Sequence, residues 1–258
     1  MSDNCLVAND WICGEYLRTR QHDLLSAVGQ HLVLTAESML AGLVIAIPLT
    51  LIARQWRLST GPILAVTTIL YTVPSLAMFS LLLPFYGLSP SLVVTGLTLY
   101  SLTILVRNFL AGLRGVPEDV KEAARGMGYG PVRLLLEVEV PLALPAVFAG
   151  IRIATVSTVA LVTVGAIVGY GGLGNLILSG LHSVFKAQVL TASVLCVLIA
   201  VVLDLLLLGL ERLSTPWTWR RTGLLRLRAV RPGAGSGNGA GRGSGAGPET
   251  SEREAAAR

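Results

Sequence analysis

Charged side chains are scarce in this sequence. Of 258 residues, 14% are charged and 53% hydrophobic, and the mean hydropathy is +0.69. That balance excludes an ordinary soluble domain. Histidine occurs only as His22, His31 and His182, with no His-Glu-x-x-His pair, and no local spacing assigns a histidine to a serine nucleophile. An intramembrane hydrolase is therefore disfavoured, and these lone histidines near the membrane edge are expected to be solvated. No Gly-x4-Gly-Lys-Ser/Thr loop is present to cradle phosphates, so any ATP that drives this protein must bind another chain. The three cysteines, Cys5, Cys13 and Cys196, are too few for a disulfide framework. Cys196 sits in an apolar run and reads as inert, while Cys5 and Cys13 can pair. Aromatic residues make up 6% of the chain, and the four tryptophans, Trp11, Trp56, Trp217 and Trp219, lie outside the apolar runs or at their ends. This is an interfacial belt, and it leaves no tryptophan for a ligand cage inside the bilayer.

Long apolar runs are what the sequence has instead. A spanning helix needs roughly 20 apolar residues, and five segments qualify, at about 28–53, 61–86, 91–113, 142–168 and 189–211. None alternates as a membrane-barrel strand would. The expectation is an all-α bundle of five spans over 28–213, preceded by a short polar segment 1–27. A basic, then Gly/Ala/Ser-rich tail follows at 214–258, with little to bury and hence expected to be disordered. With five spans, the basic clusters around Arg54 and Arg57, from Arg107 to Arg133, and from Arg212 to Arg231 share one side, against Arg18, Arg20 and Lys186 on the other. The positive-inside rule then places the N-terminus outside and the C-terminus in the cytoplasm. The basic charge faces anionic lipid; nothing points to nucleic acid. Asp3 and Asp10 come early and no basic segment precedes a short apolar core, so the first span is expected to be its own insertion signal.

Within the spans, Pro74 is expected to kink the second. Thr67, Tyr71 and Ser75 recur every four residues and so are expected to share a face, either bonding between helices or lining a polar path. The fourth span is rich in small and hydroxylated residues, Gly150, Ala154, Thr155, Ser157 and Thr158 among them. Such residues suit close helix contact and equally suit the wall of a path. Arg152 and Asp204 fall in apolar segments, where an unpaired charge costs about 2.5–3.5 kcal/mol on insertion scales. They are expected to pair; Glu37 has no evident partner.

One polar loop, 115–141, interrupts the apolar pattern. Pro117, Glu118 and Asp119 make a good helix start. Val120, Ala123, Ala124 and Met127 form an apolar stripe, and Gly128 follows at the expected left-handed terminus. Pro131 opens a second short helix, which Pro141 is expected to interrupt. The loop reads Glu122-Ala123-Ala124, three residues, Gly128, nine residues, then Val138-Glu139-Val140-Pro141. This spacing resembles the docking loop of permease subunits of binding-protein-dependent ABC importers, with valines for the usual Ile and Leu. The resemblance covers 28–213 and implies alternating access, with Glu122, Ala123, Ala124, Gly128 and Pro141 in the surface that couples to the ATPase. The partners it implies are ABC ATPase subunits that carry ATP and Mg, a second permease subunit, identical or different, and an extracytoplasmic substrate-binding protein. No cofactor is expected on this chain itself.

Tyr71-Thr72-Val73-Pro74-Ser75-Leu76-Ala77 resembles the corresponding segment of osmoprotectant permeases for glycine betaine, choline or carnitine. Gly171-Gly172-Leu173-Gly174 is similar to a run shared by those and by methionine permeases, which keeps methionine or another amino acid as the alternative. Gly169, Gly171, Gly172 and Gly174 read as a gate or a turn. Ile167-Val168-Gly169-Tyr170-Gly171 echoes a potassium-channel filter. It lacks the leading threonine and any short pore helix, and a channel would leave the spaced loop unexplained.

Overall fold

The computed structural model describes residues 5–216. The tail beyond, with Trp217, Trp219 and the arginines that follow them, lies outside the described residues. Two short helices, α1 (Cys5–Ala8) and α2 (Gly14–Thr19), precede α3 (Gln21–Gln55). The chain continues as α4 (Arg57–Thr72), α5 (Ser75–Tyr86), α6 (Pro90–Arg114) and the loop helices α7 (Glu118–Gly126) and α8 (Pro131–Leu134). A wide π turn, Leu135–Glu139, leads into α9 (Val140–Val162). A 3₁₀ segment, Thr163–Val168, then α10 (Leu173–His182) and α11 (Lys186–Ser214) complete the bundle. Four helical stretches are long and apolar enough to cross a membrane, and the pair α4–α5, bent by 100° at its break, is long and apolar enough to make a fifth if taken as one span.

Helix α6 is the hub, packing against α3, α4, α5 and α9. Its start follows from Ser89 in extended backbone and Pro90 at the first helical position, where the missing N–H costs nothing. One core, Met39, Ala46, Leu102, Leu105, Val106, Phe109 and Ala154, lies where α3, α6 and α9 meet. A second, around Leu34, Phe79, Leu92, Val93 and Val162, lies nearer the other end. Because lipid is as apolar as leucine, close fit rather than water exclusion must hold such helices together. At Gly150 a Cβ would stand 2.5 Å from the Asn108 Cβ, so α9 approaches α6 only because that side chain is absent.

The structure departs from the sequence expectation in three places. Helix α3 begins at Gln21, well before the apolar run. The second span is broken rather than kinked: α4 and α5 meet at 100°. Val73 (φ −65, ψ 127) and Pro74 (φ −56, ψ 140) are both extended, because proline drives the residue before it out of the helical region. Pro141, in contrast, does not interrupt its helix. The stretch Pro131–Val168 runs on as one 38-residue span. The π turn, in which the Val140 N–H reaches the Leu135 carbonyl, widens the helix where Pro141 offers no N–H and its ring needs room.

Outside the spans, Cys5 and Cys13 form a disulfide. Asn9 accepts from the Lys186 N–H at 3.0 Å and donates to the Val184 carbonyl at 2.8 Å, fastening this N-terminal segment to the turn between α10 and α11.

Gly150→Val is expected to push α9 off α6 and cost about 1–3 kcal/mol, read as a lower thermal midpoint in detergent. Gly29→Ala, where a Cβ meets nothing within 4 Å, is expected to be neutral or slightly stabilising. Equal losses in both would exclude close α6–α9 packing as the cause.

Candidate functional site

The loop between α6 and α9 is a stiff hairpin. Helix α7 starts one residue later than expected, with Pro117 as its cap, and Glu118 and Asp119 sit at the positive end of its dipole. It ends in two paired bonds: the Gly128 N–H to the Arg125 carbonyl at 2.9 Å, and the Tyr129 N–H to the Ala124 carbonyl at 3.1 Å. This double closure needs a left-handed residue, and Gly128 supplies it with φ +87. Glu118 holds Arg125 at 2.9 Å and Lys121 at 3.2 Å. The hydrogen bond from Arg125, then that from Lys121, keeps its carboxyl below the usual range. Ala124 is buried and anchors the helix. Glu122 and Ala123 are exposed, as are Met127 at 71%, Val132 and Leu136. The hairpin thus presents apolar side chains beside a carboxylate on a fixed frame.

Ion pairs tie the turn before α9 and the middle of α9 to neighbouring helices. Arg54, in the last turn of α3, grips Glu139 in the π turn through two hydrogen bonds of 2.6 Å. Glu139 is 2% exposed and Arg54 28%. Two turns beyond Pro145, Arg152 grips Asp204 of α11 at 2.8 and 2.9 Å and reaches Glu211 at 3.5 Å. The sequence reading named Arg152 and Asp204 but missed Arg54–Glu139 and Glu211. A legible signal existed: Glu139 is an acid between two valines at a membrane edge, and Glu211 lies two turns after Asp204 on the same face. Glu37 is exposed on α3 and has no ion-pair partner among the described residues.

The other sequence candidates separate. Thr67, Tyr71 and Ser75 do not share one face, because the break at Pro74 puts Ser75 on the next helix. Thr67 is buried, and its carbonyl accepts from Thr103 of α6. Tyr71 is half-exposed and packs edge-on against Tyr100, whose hydroxyl bonds the Val73 carbonyl freed at the break. Thr155 and Thr158 are buried and bond carbonyls of their own helix, with Thr158 also 3.6 Å from the Met39 sulfur.

The glycine run forms a tight turn. Asn175 braces it, accepting from the Gly171 N–H at 3.1 Å and donating to the Gly169 carbonyl at 3.0 Å. A Cβ on Gly171 or Gly174 would strike the backbone of Ala166 or Thr163, and one on Gly172 would lie 2.8 Å from the His31 backbone. His31 is therefore not solvated as expected. It is fully buried, and its Nε2 donates to the Val159 carbonyl at 3.0 Å, where α9 tightens toward the 3₁₀ segment. His22 and His182 are exposed.

A bundle of membrane-crossing helices that projects one stiff, partly apolar hairpin is the build of a multi-span transport component. Residues 38–220 match the family described as the inner membrane component of binding-protein-dependent transport systems, and the chain belongs to it. It is 30% identical over 216 residues to the choline transport system permease protein OpuBB of Bacillus subtilis, covering 84% of this chain and 97% of that one. It is 38% identical over 199 residues to the osmoprotectant import permease protein OsmW of Salmonella typhimurium, covering 75% and 92%. Its fold is similar to that of the permease chain in inward-facing structures of the MetNI methionine ABC transporter, with a TM-score of 0.68 at 23% identity over 76% of this chain and 98% of that one.

Removing Arg54 strands a buried carboxylate. Arg54→Met is expected to cost about 3–5 kcal/mol, read as a fall in the thermal midpoint in detergent. Arg54→Met with Glu139→Leu is expected to restore most of that loss; additive losses would show that the two side chains do not act as a pair.

Proposed function

We propose that this chain is the permease subunit of an ATP-driven importer of osmoprotectants such as glycine betaine, choline or carnitine. The observation that carries the substrate class is the 38% and 30% identity, over most of both chains, to permeases named for osmoprotectants and for choline. The segment Tyr71–Ala77 at the α4–α5 break supports the same class. The similarity to a methionine transporter is one of fold, at 23% identity, so an amino acid stays the second choice.

In this reading the N-terminus is outside and the hairpin cytoplasmic. The Cys5–Cys13 disulfide fits an oxidising compartment, and the arginines at the hairpin end fit the positive-inside rule. Two permease subunits enclose the path. The exposed face of α7 docks into an ATPase subunit, which holds ATP and Mg, and an external binding protein delivers the solute. ATP-driven motion of the ATPases pulls α7. The double closure at Gly128 passes that pull to α8, and the continuous helix carries it into α9. Arg54–Glu139 passes part of it to α3. Opening and closing of the path thus follow a displacement applied tens of ångströms away.

Uptake into proteoliposomes holding the complete importer is expected to need the binding protein and to favour quaternary amines. Preferential uptake of methionine over betaines and choline would replace the substrate assignment.

Coupling has its own test. A Cβ at Gly128 meets nothing within 4 Å, so a substitution there acts through φ +87 alone. Gly128→Val, β-branched, costs about 1–2 kcal/mol in that conformation and is expected to misangle α7 against α8 while the protein still inserts. Stimulation of ATP hydrolysis by loaded binding protein, and uptake with it, are expected to fall together. Gly128→Asn, which tolerates a left-handed backbone, is expected to retain most of both. Near-normal stimulation and uptake in Gly128→Val would remove the hairpin from the coupling route.

A further inference from the structure

Beside the hairpin lies a cavity of about 860 Å³, bounded by the end of α3, the start of α4, the end of α6, α7 and the π turn. Five of its lining side chains are cations and two are carboxylates, a surplus of three positive charges. The carboxylates are already engaged: Glu118 by Arg125 and Lys121, Glu139 by Arg54. Arg57 and Arg114 remain. Neither meets a carboxylate among the described residues, and Arg114 only donates to the Thr60 hydroxyl at 3.0 Å. Two guanidinium groups without a carboxylate partner, lining one cavity, suit a phosphate, which takes paired hydrogen bonds from each.

The surroundings specify which phosphate. Trp56, exposed, sits between α3 and α4 next to Arg57. An indole in that position marks the headgroup layer of a bilayer. Leu113 lines the cavity and also lines a second one, an apolar groove of about 400 Å³ between α3, α6 and α9. Leu43, Ile47, Phe109, Val147 and Ile151 form its walls. Its one hydroxyl, that of Thr50, is spent on the Ala46 carbonyl. A cationic chamber at headgroup depth that shares a wall with an apolar groove matches a molecule with an anionic head and a hydrocarbon tail.

We propose that this paired cavity binds one anionic phospholipid. Its phosphate rests on Arg57 and Arg114, and one acyl chain lies along the groove. A zwitterionic lipid would bring its own ammonium into a chamber that already holds three surplus positive charges, so net negative charge is selected. Glu122 of α7 and Met127 just beyond it, both exposed, are not among the cavity's lining residues, so a lipid and a partner docked on them can be held together.

The test uses the full chain, delipidated in detergent and titrated with phosphatidylglycerol or phosphatidylcholine, with native mass spectrometry counting bound lipid. One phosphatidylglycerol is expected to stay bound at concentrations where phosphatidylcholine does not. Each arginine near a membrane surface contributes about fivefold, so Arg57→Gln with Arg114→Gln is expected to weaken retention about thirtyfold. Arg57→Gln alone, which removes no contact within the protein, is expected to weaken it about fivefold and guards against a folding defect in the double variant. Equal retention of the two lipids, or unchanged retention in both variants, would overturn the proposal. Displacement of phosphatidylglycerol by equimolar inorganic phosphate would reassign the cavity to a free anion. Loss of the lipid when ATPase subunits are added would reassign it to a partner's carboxylates.

Discussion

A carboxylate shut away from water at the edge of a membrane bundle is costly unless a cation meets it, and Glu139 is such a group. Arg54 meets it with two hydrogen bonds, and much of the hairpin end depends on that grip. It fixes where α3 ends relative to α9. It also holds the π turn, the point at which the chain changes from loop to span. Without it, the widened turn that accommodates Pro141 would have no lateral support, and α8 would join α9 through a loose hinge rather than a firm one.

Helix α9 is braced by ion pairs at its start and at its middle. Arg54–Glu139 binds it to α3, and Arg152 binds it to Asp204 and Glu211 of α11. Along its length, small residues such as Gly150 let it lie close to α6. At the far end His31 and the braced glycine turn hold the point where it tightens into 3₁₀ geometry. Polar links hold the start, the middle and the far end, with close packing beside the middle one, an arrangement that keeps a helix stiff while leaving its ends able to exchange partners.

What could be read from the sequence was local. Gly128 was legible because a left-handed terminus is a demand on one residue, visible from the stripe that precedes it. The pairing of Arg152 with Asp204 was legible because isolated charges in apolar runs need an opposite. Pro74 was legible as a disturbance but not as a 100° break, since the size of a bend depends on whether neighbours hold the two halves in line. That is also why Thr67, Tyr71 and Ser75 were misjudged as one face. Pro141 went the other way, because the register shift that rescues it is a property of the five preceding residues together. Arg54 and Glu139 are 85 residues apart, and nothing local joins them. His31 was misplaced because its burial comes from Gly172, far along the chain, which lets the two backbones touch.

The continuous helix from Pro131 to Val168 has 38 residues, about 57 Å at 1.5 Å per residue. The hydrocarbon layer is about 30 Å thick, so nearly half the rod's length stands outside it. Such a rod is a lever whose fulcrum is the ring of contacts with α6. A sideways shift of about 5 Å at its outer tip swings the rod about its middle through only about 10°, yet it moves the buried end in the opposite direction by a similar amount. A small rotation of a stiff arm, rather than any unwinding, is then sufficient to bring the glycine turn toward or away from α3.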